Sequence, residues 1–112
     1  MIIIRIHKDG MDIAGHAGAG PPGHDIVCAA VSALAQNCVK SIDDLTEDTI
    51  SYRQDNGYLH IGWNIEDLGS GARLLLDSLF LGLCAISRSY PDNLRVCGPE
   101  DEQAWNSLKA TE

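Results

Sequence analysis

Four glycines and two prolines fall between Gly15 and Gly23 of this 112-residue chain, a density that forbids a regular helix or a central strand across the segment. It must be a loop. An opening run of β-branched residues precedes it and the first long apolar stretch follows it, so the fold has to be assembled around this break. His16 stands at one end and Cys28 shortly beyond the other. Loops held by rigid elements are where binding and catalytic groups concentrate, which makes this segment the first place to look for chemistry.

Before the loop, Met1 to His7 is short and β-branched, Lys8-Asp9-Gly10 carries a turn signal, and Met11 to Ala17 runs back, predicting a hairpin. After it, Asp25 to about Val39 is almost wholly apolar and alanine-rich. This predicts a helix that touches neighbours on most sides, with Asp25 as its N-cap. Ile50 to Gln54 and Tyr58 to Trp63 flank Asp55-Asn56-Gly57 as a second hairpin. Ser70 to Ser89 predicts a second helix, its apolar arc of Ala72, Leu75, Leu76, Leu79, Leu83 and Ile86 widened by Leu74, Phe80, Leu81 and Cys84. An arc too wide for one sheet face needs further cover, and a homodimer is expected to supply it. Pro91 closes the helix, Asn93 to Cys97 forms a last short strand, and a polar tail runs from Gly98 to Glu112. The order β-β-α-β-β-α-β predicts one α+β domain over 1–112: a mostly antiparallel sheet of about five strands with two helices packed on one face.

Formal charge is −8, from 16 acidic and 8 basic residues. That opposes phosphate backbones and favours a cationic partner, so no direct nucleic-acid role is expected. The longest apolar run, Leu74 to Ile86, is interrupted by Asp77 and Ser78 and too short to cross a bilayer, so no membrane role is expected either. Cys28, Cys38, Cys84 and Cys97 include no C-x-x-C pair, and no secretory leader opens the chain. A cytoplasmic protein with reduced thiols is expected, Cys38, Cys84 and Cys97 serving as small buried apolar side chains.

Cys28 is different. Three positions after the proposed cap, it falls in the first helical turn, where unpaired N–H groups and the helix dipole favour a thiolate and lower a thiol pKa from its reference of about 8.5. The same N–H groups are expected to hold the oxyanion formed when that thiolate attacks an amide carbonyl. A histidine is the base best matched to the thiol proton. His16, at a strand end, is favoured over His24, which precedes the cap and so points back into the loop. His7 and His60 lie in predicted strands and receive no role. A zinc site from His16, His24 and Cys28 has the right residue types but fits no standard spacing, and neither metal nor other cofactor is expected.

The run Gly15-His16-Ala17-Gly18, then Gly23, then Asp25-Ile26-Val27-Cys28-Ala29-Ala30-Val31-Ser32-Ala33-Leu34 resembles the ribosomal-processing cysteine proteases, the Prp family. The likeness extends to Asn56-Gly57-Tyr58, Leu74-Leu75-Leu76, Leu81-Gly82-Leu83 and Ser89-Tyr90-Pro91, covering residues 1–97. It implies a cytoplasmic, homodimeric cysteine endopeptidase that removes an N-terminal extension from ribosomal protein twenty-seven of the large subunit; some members act on phage structural proteins. It places the nucleophile on Cys28 and the histidine on His16, with Asp25, Ser32, Gly18 and Gly23 as supporting or substrate-binding positions. Two departures bear on the substrate: Ala19-Gly20-Pro21-Pro22 stands where the family commonly has an aromatic and a longer polar residue, and the tail after Cys97 is additional. The competing expectation is a non-catalytic module of the same fold that grips such a peptide with Cys28 merely packed.

Overall fold

The computed structural model describes residues 1–16, 18, 20 and 25–96. Its elements are β1 (Ile2–His7), β2 (Gly10–Ala14), α1 (Ile26–Leu45), β3 (Ser51–Asp55), β4 (Tyr58–Gly62), α2 (Ser70–Ser89) and β5 (Leu94–Arg95). They form one five-stranded sheet in the order β3-β4-β2-β1-β5. Every pairing is antiparallel except the parallel one of β1 with β5, which is the α+β architecture read from the element order.

Alternation along β1 puts Ile2, Ile4 and Ile6 in the core and leaves Ile3, Arg5 and His7 outside. Met11, Ile13, Leu59 and Ile61 extend the same inner face through β2 and β4. Both helices lie on it: Val27, Val31, Ala35, Cys38 and Ile42 bury a stripe of α1, and Leu76, Leu79 and Leu83 are among the buried residues of α2. One continuous apolar cluster results. Helix α1 differs from expectation in two ways. It runs six residues past Val39, to Leu45, and it does not touch neighbours on most sides, since Ile26 and Leu45 are exposed along with Ala29 and Ala33. The alanines that suggested all-round burial are explained by helix propensity on an exposed face.

Helix α2 spans the residues expected of it. Leu74 and Leu81, one heptad apart, each remain 68% exposed on its outer side. Arg73 is the reverse case, a buried cation the sequence did not flag. Its guanidinium donates to the carbonyls of Leu68 (3.1 Å) and Ile65 (2.8 Å), pinning the turn that leads into the helix. By length and apolar composition both helices could cross a membrane, longer than the interrupted run suggested. In this fold each instead buries a stripe against the sheet.

The two sides of α2 should respond differently to truncation. Leu76→Ala is expected to destabilise by about 2–5 kcal/mol, because Leu76 is fully buried. Leu74→Ala in the monomer should stay within about 0.5 kcal/mol of wild type. Urea unfolding of the two variants measures both.

Candidate active site

Helix α1 starts where it does because of Asp25. In extended geometry (φ −83°, ψ 106°) its Oδ1 accepts the N–H groups of Val27 (3.0 Å) and Cys28 (2.9 Å). Its carbonyl accepts that of Ala29 at 3.0 Å. Asp25 is thus the N-cap read from the sequence, and it fixes Cys28 as the third residue of the helix. The same bonds bear on the expected oxyanion cradle. The N–H groups of Val27 and Cys28 donate to the Asp25 carboxylate, so a capping carboxylate and an anionic reaction intermediate would compete for the same two donors.

The histidine is positioned from the other side. Strand β2 ends at Ala14, earlier than expected, and Gly15 turns the chain at φ 102°, where a Cβ would collide with the carbonyl oxygen of Met1. Its N–H donates to the Gly57 carbonyl at 2.8 Å, extending the β2–β4 pairing one step into the β3–β4 turn. Gly57 itself has φ 72°, and a Cβ there would lie 3.0 Å from His16 Nε2. The imidazole therefore lies against the bare face of a glycine that the tight turn also requires.

His16, Cys28 and Ser32 line a single cavity of about 170 Å³. Ile13, Val31 and Leu59 give it an apolar floor, while Gln54, Asp55 and Tyr58 of the second hairpin form a wall that was not foreseen as part of the site. The signal for that wall was the Asn56-Gly57 turn, but only the β2–β4 register brings it to the loop. Among the other site positions, Gly18 adopts φ 71° with nothing close to where a Cβ would stand. Gly23 and His24 lie outside the described residues.

Behind the wall, Tyr58 donates its hydroxyl to Asp12 Oδ1 (2.7 Å), the oxygen that also meets His60 Nδ1 (2.7 Å). His7 Nε2 meets Asp12 Oδ2 at 2.8 Å. His7 and His60 are thus satisfied on one carboxylate and face away from the cavity floor. Partial burial pushes the Asp12 carboxyl up, but the hydrogen bonds from Tyr58, His60 and His7, with the charge of His60, outweigh it and hold the group below the ordinary 3.8. The bond to Asp12 in turn raises the Tyr58 hydroxyl.

The remaining cysteines divide. Cys38 is buried, its thiol donating to the Leu75 carbonyl at 3.5 Å and pushed up to about 11 by burial, as befits an inert apolar residue. Cys84 is disulfide-bonded, not the free thiol expected of it. Pairing depends on proximity in the fold, which cysteine spacing does not reveal. Cys97 lies outside the described residues.

A thiol at a helix start and an imidazole sharing a small, apolar-floored cavity are the parts of a cysteine hydrolase. Comparison with known proteins names the class. Residues 1–95 match the family model described as cysteine protease Prp. The chain is 36% identical over 84 residues to the ribosomal processing cysteine protease Prp of Staphylococcus aureus, covering 73% of this chain and 78% of that one. With the Bacillus subtilis Prp it shares 34% identity over 103 residues, 84% of this chain and 91% of the relative. The crystal structure of the S. aureus protease with a covalently linked product peptide superposes with a TM-score of 0.74 at 30% identity, over 84% of this chain and 93% of that one. The chain is a cysteine protease. It belongs to the Prp family.

Two outcomes test the geometry. Gly57→Ala is expected to cost about 1–2 kcal/mol from the left-handed backbone alone and to move the His16 ring resonances in NMR spectra; unchanged resonances would refute the contact. For Asp12 the folded value lies below the unfolded one, so its stabilisation is complete above the unfolded value and is lost as pH falls through the folded value. Asp12→Asn should therefore lower stability at neutral pH and lose less than wild type on acidification below about pH 4, as read by thermal unfolding across pH.

Proposed function

We propose that this chain is a cytoplasmic endopeptidase that removes the N-terminal extension of ribosomal protein twenty-seven, with Cys28 as nucleophile and His16 as its base. The observation that carries the reading is that His16 and Cys28, twelve positions apart in sequence, line one cavity. His16 takes the thiol proton, the thiolate sulfur bonds to the peptide carbonyl carbon, and the proton passes to the departing amine. Water then hydrolyses the thioester. Asp25 serves by capping the helix that presents the sulfur, and Ser32, one turn further along α1, faces the same space. The covalently linked product peptide of the S. aureus relative supports covalent catalysis on a peptide. The net charge of −8 suits a cationic ribosomal protein as partner.

The exposed Leu74 and Leu81 support a homodimer in which the two copies of α2 cover one another. Phage structural proteins are the second substrate class, since the sequence Ala19-Gly20-Pro21-Pro22 departs from what the family commonly carries there.

Incubation with the extended ribosomal precursor tests the mechanism. Cys28→Ser should abolish cleavage, and His16→Ala should slow it by about a hundredfold or more. Unchanged processing by either variant would remove that residue from the mechanism, and processing by both would favour the non-catalytic reading of Cys28.

A further inference from the structure

We propose that the substrate binds as an added β-strand on the free edge of β3, paired with the backbone of Tyr52 and Gln54, its alternate side chains entering the groove between β3 and α1. The inference deepens the peptidase reading and rests on it. Among the described residues, strand β3 is one edge of the sheet, and the other edge, β5, is only two residues long. The printed register settles which backbone groups β3 leaves outward. Gly57 accepts from Gly15 and Trp63 donates to Asp9, so alternate β4 residues between them, Leu59 and Ile61, bond towards β2. Tyr58, His60 and Gly62 must then bond towards β3, where they face Asp55, Arg53 and Ser51. The N–H and C=O of Tyr52 and Gln54 therefore point away from the sheet.

Between them, those two residues border both hollows. Gln54 lines the cavity of His16 and Cys28, and Tyr52 lines a separate groove of about 740 Å³. The Tyr52 hydroxyl donates to Gln54 Oε1 at 2.8 Å, so their side chains lie together. Across from them, consecutive residues of α1 make the same transition, Ser32 facing the cavity and Ala33 the groove. The groove thus adjoins the cavity of His16 and Cys28 along two elements. Its occupant is the segment of substrate on one side of the scissile bond. Backbone pairing supplies affinity without regard to sequence, and the groove selects side chains. Val39, Ile50 and Tyr52 favour a large apolar one, with Gln36 and Asn37 offering amide hydrogen bonds at the margin.

A methylation scan tests this on the intact enzyme. The probe is a synthetic peptide spanning the N-terminal extension and cleavage junction of the ribosomal protein, each amide in turn N-methylated. KM should rise about tenfold at every second residue on one side of the scissile bond and hardly change at the residues between, the loss of one backbone hydrogen bond at a time. A flat profile, or one without alternation, would overturn the added strand while leaving the peptidase reading intact. An unmethylated peptide that is not cut at all would overturn the assignment of the ribosomal precursor as substrate, and this inference, which rests on it. In the protein, Gln54→Pro deletes only the outward N–H and spares the β4 ladder. Its KM should exceed that of Gln54→Ala, and equal values would count against the pairing.

Discussion

The pairing of β2 with β4 is the constraint on which the site depends. The two strands belong to different hairpins and are separated in sequence by the loop and the whole of α1, so nothing local holds them together. Five residue pairs, from Gly10 with Gly62 to Ala14 with Tyr58, set their register, and the Gly15 to Gly57 bond carries it past the end of β2. A slip of one residue would turn Ile13 or Leu59 out of the core and carry His16 off the glycine it rests on. The core thus enforces the placement of the imidazole through backbone register.

Asp25 exerts the matching control over the thiol, and it does so at a chemical cost. By accepting the N–H groups of Val27 and Cys28 it defines the helix start and the direction of the Cys28 side chain, but it places a carboxylate on donors that a developing oxyanion would otherwise use. Precision in placing the thiol has been favoured here over an open helix end.

Much of this was legible in the sequence because the informative signals were local. The Asn56-Gly57 turn, the apolar periodicity of α2 between Ser70 and Ser89, and Asp25 before an apolar run each report on a few neighbouring residues, and each was found in place. What escaped was set at long range. That Gln54, Asp55 and Tyr58 wall the cavity follows from the β2–β4 register; that Cys84 is bonded follows from proximity; that Arg73 is buried follows from two carbonyls exposed by the preceding turn. The error over α1 had another source. Alanine is apolar and helix-favouring at once, and a run of it does not distinguish a surrounded helix from one with a bare outer face.

The two residues of β5 have a consequence out of proportion to their length. Strand β1 is the most β-branched segment of the sheet, with isoleucine at four of its six positions. Left as an edge it would offer a sticky template to any other extended chain. Leu94 and Arg95 cover it opposite Ile2 and Ile3, and the uncovered remainder carries Arg5 and His7 on its outer face. The guard is the last strand in the chain, more than eighty residues beyond the strand it covers. Without it, the molecule's own first strand would be an open, isoleucine-rich edge.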